Sequence, residues 1–202
     1  MRVLRILILA VIPLFLFSYC EDNSAQNPKI DKSIWPMGVG YYWKYHWFIQ
    51  YKGQNYKELG ISKCGITEKM KIGKEYWYVM TDLFFPDTLE ILHVDDKGVW
   101  SDVYTGKKEN TTYKYLAYKY PTYAGELNIY GDDTIVTVAT SVPISTVYGE
   151  IDQCVKYASI DNKILIFFRY GLGPVKIMWV DGYYDGSPLW KVKELYEYYV
   201  GL

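Results

Sequence analysis

Tyr41-Tyr42-Trp43-Lys44-Tyr45-His46-Trp47-Phe48-Ile49-Gln50-Tyr51 is the stretch that decides the fold class. Tyr41, Trp43, Tyr45, Trp47 and Ile49 share one side of an extended chain; Lys44, His46 and Gln50 share the other. Side chains alternate across a strand with period two, so this pattern predicts a strand with one covered face. Aromatic and β-branched side chains fit such a pleated surface.

The same signature recurs downstream. Strands are expected at 61–72, 76–84, 89–94, 99–104, 113–120, 134–139, 155–160, 164–170 and 175–180. Turn chemistry separates them: Gly73-Lys74, Pro86-Asp87, Asp95-Asp96-Lys97-Gly98, Gly131-Asp132-Asp133, Asp161-Asn162-Lys163 and Gly171-Leu172-Gly173-Pro174. The last segment, 189–200, also fits a helix face through Leu189, Val192, Leu195, Tyr196 and Tyr199. Its aromatic content favours a strand. Many short strands at regular spacing, with no long amphipathic helix, predict an all-β domain: an antiparallel sandwich or a half-open barrel.

Upstream, Arg2 and Arg5 precede an apolar run from Ile6 to Phe17. The run is shorter than the roughly 20 residues of a bilayer span but suits the core of an N-terminal signal peptide. Cys20 follows, and then the polar Glu21-Asp22-Asn23. A cysteine in this place resembles a bacterial lipobox, although Tyr19 stands where a small residue is usual and Phe17 where leucine is usual. The expected organisation is a lipoprotein signal peptide over 1–19, a lipid anchor and flexible tether over 20–33, and a single β domain over 34–202. Acyl chains on Cys20 would hold the domain at a membrane. Glu21-Asp22 is a candidate sorting signal, and the outer membrane is the favoured destination over the inner.

Composition narrows the function classes. Removing Arg2 and Arg5 from the 22 basic residues leaves 20 against 23 acidic ones, and Arg169 is then the last arginine. Without a basic excess or arginine forks, a nucleic-acid partner is not expected. With two histidines, His46 and His93, a histidine-rich metal site is excluded, and neither sits in a nucleophile or metal motif. A structural or solvent role is expected for both, and no metal or cofactor is predicted.

Acidic pairs at Asp95-Asp96, Asp132-Asp133 and Asp181–Asp185 have the residue types for glycoside hydrolysis or calcium binding. They neighbour Gly98, Gly131 and Gly182, where aspartate is favoured by turn geometry alone. No catalytic residue is therefore assigned. Cys64 and Cys154 either form a disulfide, which an oxidising envelope permits, or serve as two separate buried thiols.

The ordered motifs resemble a group of uncharacterised bacterial cell-envelope lipoproteins. A Pro-x-x-x-Gly-x-x-Trp-x-Tyr motif is matched by Pro36, Gly40, Trp43 and Tyr45. Gly73-Lys74-Glu75-Tyr76-Trp77-Tyr78 matches a Gly-Lys-x-Tyr-Tyr-type strand, and Asp95, Gly98, Val99 and Trp100 match an Asp-x-x-Gly-Val-aromatic turn. Pro121 and Gly125, the late Cys154, and Gly171-Leu172-Gly173-Pro174-Val175-Lys176 complete the order. A middle Val-Pro-Ala-Gly-Thr-Phe stretch is reduced to Val142-Pro143. The resemblance implies an extracytoplasmic β domain and no activity.

The expected function is that of a non-catalytic binding or scaffolding module of the envelope, with the membrane as one partner through its lipid. An envelope protein or an apolar ligand is the expected second partner. The carrier version needs a cavity lined by Trp43, Trp47, Phe168 and Trp179. A version that stacks sugars on tyrosine and tryptophan stands beside it, and a hydrolase built on the acidic turns is the remaining alternative.

Overall fold

The computed structural model describes residues 33–81, 83–84, 89–103, 115–130 and 133–201. The leader, Cys20 and the tether as far as Lys32 lie outside these residues, as do Gly131 and Asp132. A compact unit spans Asp31–Leu202.

Among the described residues, twelve strands build it: β1 (Tyr42–Tyr51), β2 (Gln54–Ile72), β3 (Glu75–Thr81), β4 (Leu89–Asp95), β5 (Gly98–Val103) and β6 (Tyr115–Lys119) in the first half. The second half holds β7 (Leu127–Tyr130), β8 (Asp133–Thr146), β9 (Gly149–Ser159), β10 (Ile164–Arg169), β11 (Gly173–Tyr184) and β12 (Ser187–Tyr199). The protein is all-β. One antiparallel sheet runs in the order β6-β5-β4-β3-β2-β1-β12-β11-β10-β9-β8-β7. A single continuous sheet selects the half-open barrel over the sandwich.

The sheet curls until its ends, β6 and β7, come alongside without a hydrogen-bonded ladder. Side chains bridge this seam: Lys119 pairs with Glu126, and the Thr122 hydroxyl donates to Glu126 at 2.8 Å. Tyr118 on β6 packs against Phe168 on β10 at 4.7 Å and Tyr157 on β9 at 5.5 Å between centroids. The Tyr157 hydroxyl donates to the Lys119 carbonyl at 2.6 Å. Burial pushes this phenol's pKa up, so it stays a donor.

Register departs from simple alternation at bulges, which insert a residue and sharpen the local twist. Trp47 opposes Gly60 while Phe48 opposes Glu58, so Leu59 is the extra residue in β2. Lys44 opposes Glu197 while Tyr45 opposes Leu195, so Tyr196 is the extra residue in β12. Trp43 and Tyr45 are fully buried, whereas Phe48 is buried on the opposite face, beside His46.

The segment before β1 fills the interior. Trp35 is fully buried and meets Trp43 edge-on at 5.6 Å and Phe168 at 5.5 Å. The Gly171 amide donates to the Ser33 carbonyl at 3.1 Å, which ties this segment to the β10–β11 turn. The Trp43 indole donates to the Leu172 carbonyl at 2.7 Å, and the Tyr45 hydroxyl donates to the Pro174 carbonyl at 2.8 Å. Trp43 and Tyr45 thus satisfy their polar tips on backbone, whereas the buried Trp35 indole N–H has no hydrogen-bond partner among the described residues.

Candidate functional site

The four aromatics expected to face a ligand fall into two groups. Trp43 and Phe168 have no exposed surface and are joined through Trp35. Full burial leaves no water-sized space beside either ring. Trp47 and Trp179 touch each other edge-on at 5.9 Å, and Phe84 meets Trp179 at 5.6 Å. Lys193, itself fully buried, places its ammonium 3.8 Å from the Trp47 ring centre and donates to the Leu83 carbonyl. A cation over an aromatic face is favourable once desolvated. Both groups are thus held by packing and internal bonds.

Cys64 in β2 and Cys154 in β9 are buried thiols with no bond between them. The Cys154 thiol donates to the Ile151 carbonyl at 3.6 Å, and burial pushes its pKa up to about 11. Among the described residues, no group of three or more His, Cys, Asp or Glu side chains could hold a metal. The acidic turn residues serve two hairpins, Asp95 in β4–β5 and Asp181 with Asp185 in β11–β12. Asp95 accepts from the Lys97 amide at 2.8 Å, Asp181 pairs with Lys191 at 2.5 Å, and Asp185 takes a positive φ of 48° in the β11–β12 turn.

A cleft of about 400 Å³ opens between the β1–β2 hairpin and the β8–β9 turn. His46, Phe48, Asn55, Tyr56, Lys57, Glu58, Val147 and Tyr148 line it. His46 joins its two walls, with Nε2 2.6 Å from Glu58 Oε1 and Nδ1 3.0 Å from the Tyr148 hydroxyl. The neutral Nε2–H tautomer satisfies both: it donates to Glu58 and accepts from Tyr148. Burial, and then Tyr196, Glu194 and Glu58, raise the Tyr148 pKa, so this phenol is a hydrogen-bond donor and not an activated nucleophile.

The Tyr148 wall is held from behind. The Val147 amide donates to Glu194 Oε2 at 2.6 Å, and Glu194 Oε1 pairs with Lys176 at 2.6 Å. Lys176 also donates to the Ser145 carbonyl at 3.1 Å. Tyr148 packs on Tyr196, the extra residue of the β12 bulge, at 5.7 Å and 33°. Glu194 is 2% exposed, so a buried carboxylate is committed to fixing an exposed turn. Buried charges cost desolvation and persist where they fix a geometry.

The turn itself breaks local rules. Lys52-Gly53, Gly73-Lys74, Asp96-Lys97 and Asp185-Gly186 are two-residue turns built from polar residues and glycine. The β8–β9 turn is Val147-Tyr148, both half exposed. Apolar residues displayed at a tip oppose turn chemistry, and such departures concentrate at functional sites.

The sequence places His46 on the polar strand face and gives no sign of its partners. Glu58 precedes the expected start of β2, and Tyr148 lies between expected strands. The signal available was Val147-Tyr148-Gly149 standing where a polar turn belongs.

No family model matches this chain, and no curated protein matches it. Among solved structures it is similar to a crystal structure described as "a putative lipoprotein from Parabacteroides distasonis ATCC 8503", at 16% identity and a TM-score of 0.44. The match covers 83% of this chain and 99% of the other. Similarity of that extent carries neither a shared site nor a shared activity.

Proposed function

We propose that this chain is an exported, lipid-anchored protein of the bacterial cell envelope, and that its β domain is a non-catalytic binding module working through the outer cleft. Anchoring rests on the leader and Cys20. Binding at the cleft rests on one contrast: of the rings expected to line an interior cavity, Trp43 and Phe168 are fully buried and the partly buried Trp47 and Trp179 pack on each other and on Lys193, while the Tyr148 tip is pinned in an exposed position. Carriage of an apolar ligand loses support from the first half of that contrast, and display of a recognition surface gains it from the second.

Glu58 is the one carboxylate of the cleft lining, and its partner His46 faces a protonated phenol. That arrangement positions side chains without supplying the paired carboxylates a glycosidase uses.

Two measurements test the reading. Metabolic labelling with a radiolabelled fatty acid should mark the full chain and not its Cys20→Ala variant; an unlabelled wild type removes the anchor. Organic extraction and mass spectrometry of the domain from residue 21 onward, recovered from the envelope, should find it empty. A stoichiometric lipid would restore the carrier reading.

A further inference from the structure

We propose that the His46–Tyr148 cleft is a carbohydrate site that takes an uncharged sugar ring. This rests on the binding-module reading above and names its ligand class.

Charge is the first argument. Lys57 and Glu58 contribute one charge of each sign to the lining, and both ring nitrogens of His46 are engaged within the protein, by Glu58 and Tyr148. A phosphate, an acidic polymer or a cationic peptide finds no net compensating charge there.

The shape of the apolar surface is the second. Tyr56 and Tyr148 are 74% and 54% exposed, with Phe48 behind them. Each exposed ring offers an apolar face and a hydroxyl rim. A pyranose has the same division, a C–H face and a hydroxyl edge. An acyl chain would match the rings and leave the polar lining stripped of water without partners, a costly outcome.

The polar inventory is the third. Among the described residues, the Asn55 side-chain amide makes no hydrogen bond within the protein, and Glu58 Oε2 stays open while Oε1 holds His46. A planar carboxamide and a planar carboxylate oxygen are suited to the neighbouring hydroxyls of a sugar, which both donate and accept.

Rigidity is the fourth. The Glu194–Lys176 pair and the Tyr148–Tyr196 contact fix the Tyr148 ring before any ligand arrives. Preorganisation lowers the entropy lost on binding, which matters most for a ligand with few apolar atoms.

The test is calorimetric titration of the mature domain with soluble oligosaccharides of glucose, mannose, galactose, xylose and N-acetylglucosamine. At least one should bind, with an affinity unchanged between low and high salt because no charge pairing is involved. Tyr56→Ala and Tyr148→Ala should each weaken it about tenfold or more, the usual effect of losing an aromatic anchor. Tyr148→Phe, which keeps the ring, should retain most of it. Unchanged melting curves for the variants exclude misfolding. Binding to none of the sugars, or binding that survives both alanine variants, overturns the proposal. If the extracted domain is empty and no sugar binds, the sugar assignment alone fails. If it carries a lipid, the parent reading fails first.

Discussion

Trp35 lies so close to Gly173 that a Cβ on residue 173 would meet the indole Cδ1 at 2.4 Å and Nε1 at 2.7 Å. Gly173 also holds a φ of 93°, which side chains rarely adopt. The two residues lock the segment before β1 beneath the β10–β11 turn. Gly173→Ala should therefore destabilise the domain by about 3 kcal/mol, from backbone strain and overpacking together. Trp35→Ala should cost about 3–5 kcal/mol by cavity formation. In urea titrations the double variant should be more stable than the sum of the singles predicts, because the clash disappears with the ring. Strict additivity would mean that the two residues do not meet.

Lys193 is buried between Trp47 and Trp179 with its ammonium on the Leu83 carbonyl. Lys193→Ala removes the donor and opens a cavity, at an expected cost of about 2–4 kcal/mol. Lys193→Met fills the volume and should cost less. A neutral alanine variant in denaturant titrations would refute the structural role given to this lysine.

Asp161 fixes the β9–β10 turn. Its carboxylate accepts from the Ser159 hydroxyl at 2.6 Å and the Lys163 amide at 3.1 Å, and pairs with the Lys163 ammonium at 3.0 Å. The Ser159 bond first, and Lys163 second, lower its pKa from 3.8 to about 2. A lowered folded-state pKa contributes stability above pH 3.8 that is lost as pH falls toward 2. Melting temperatures measured through this window should fall more steeply for the wild type than for Asp161→Ala. Parallel profiles would show that the turn carboxylate carries no linkage.

Cys154 gives an alkaline counterpart. Its thiol pKa is raised from 9.0 to about 11 by burial, so its contribution to stability is full below pH 9.0 and fades toward pH 11. In the folded Cys20→Ala chain at pH 8, Ellman's reagent should find Cys64 and Cys154 unreactive, since the thiolate is the nucleophile. Unfolding without reductant should release two thiols. Zero thiols would establish a disulfide between them.

Where one face is covered and the other wet, the sequence is readable. Trp43 and Tyr45 alternate with Lys44 and His46, and Ile164–Arg169 is apolar enough to announce itself. The ambiguous terminal segment is a strand because Leu189 and Val192 find partners in both β11 and β1, which no local pattern displays. Gln54 to Leu59 is exposed throughout and so carries no alternation to detect. Pro143 hid the length of β8: the ladder there pairs Val142 with Cys154 and then Ile144 with Ile151, stepping over the proline that cannot donate. β7 has four residues, too few for a period to show. The cleft was least legible. His46 and Tyr148 lie 102 positions apart, and their meeting depends on a Glu194–Lys176 pair in two other strands.

β1 and β12 are neighbours at the middle of the sheet, while its edges come from the middle of the chain. A polypeptide emerging amino end first must therefore wait for β12 before β1 can be joined to β11. Until Tyr199 appears opposite Tyr42, β1 keeps an unsatisfied edge, and β1 to β6 have only each other. Loss of β12 would leave β1 and β11 as open edges, with only the β6–β7 seam between the two halves. Arrival of β12 is thus the step on which the whole architecture turns.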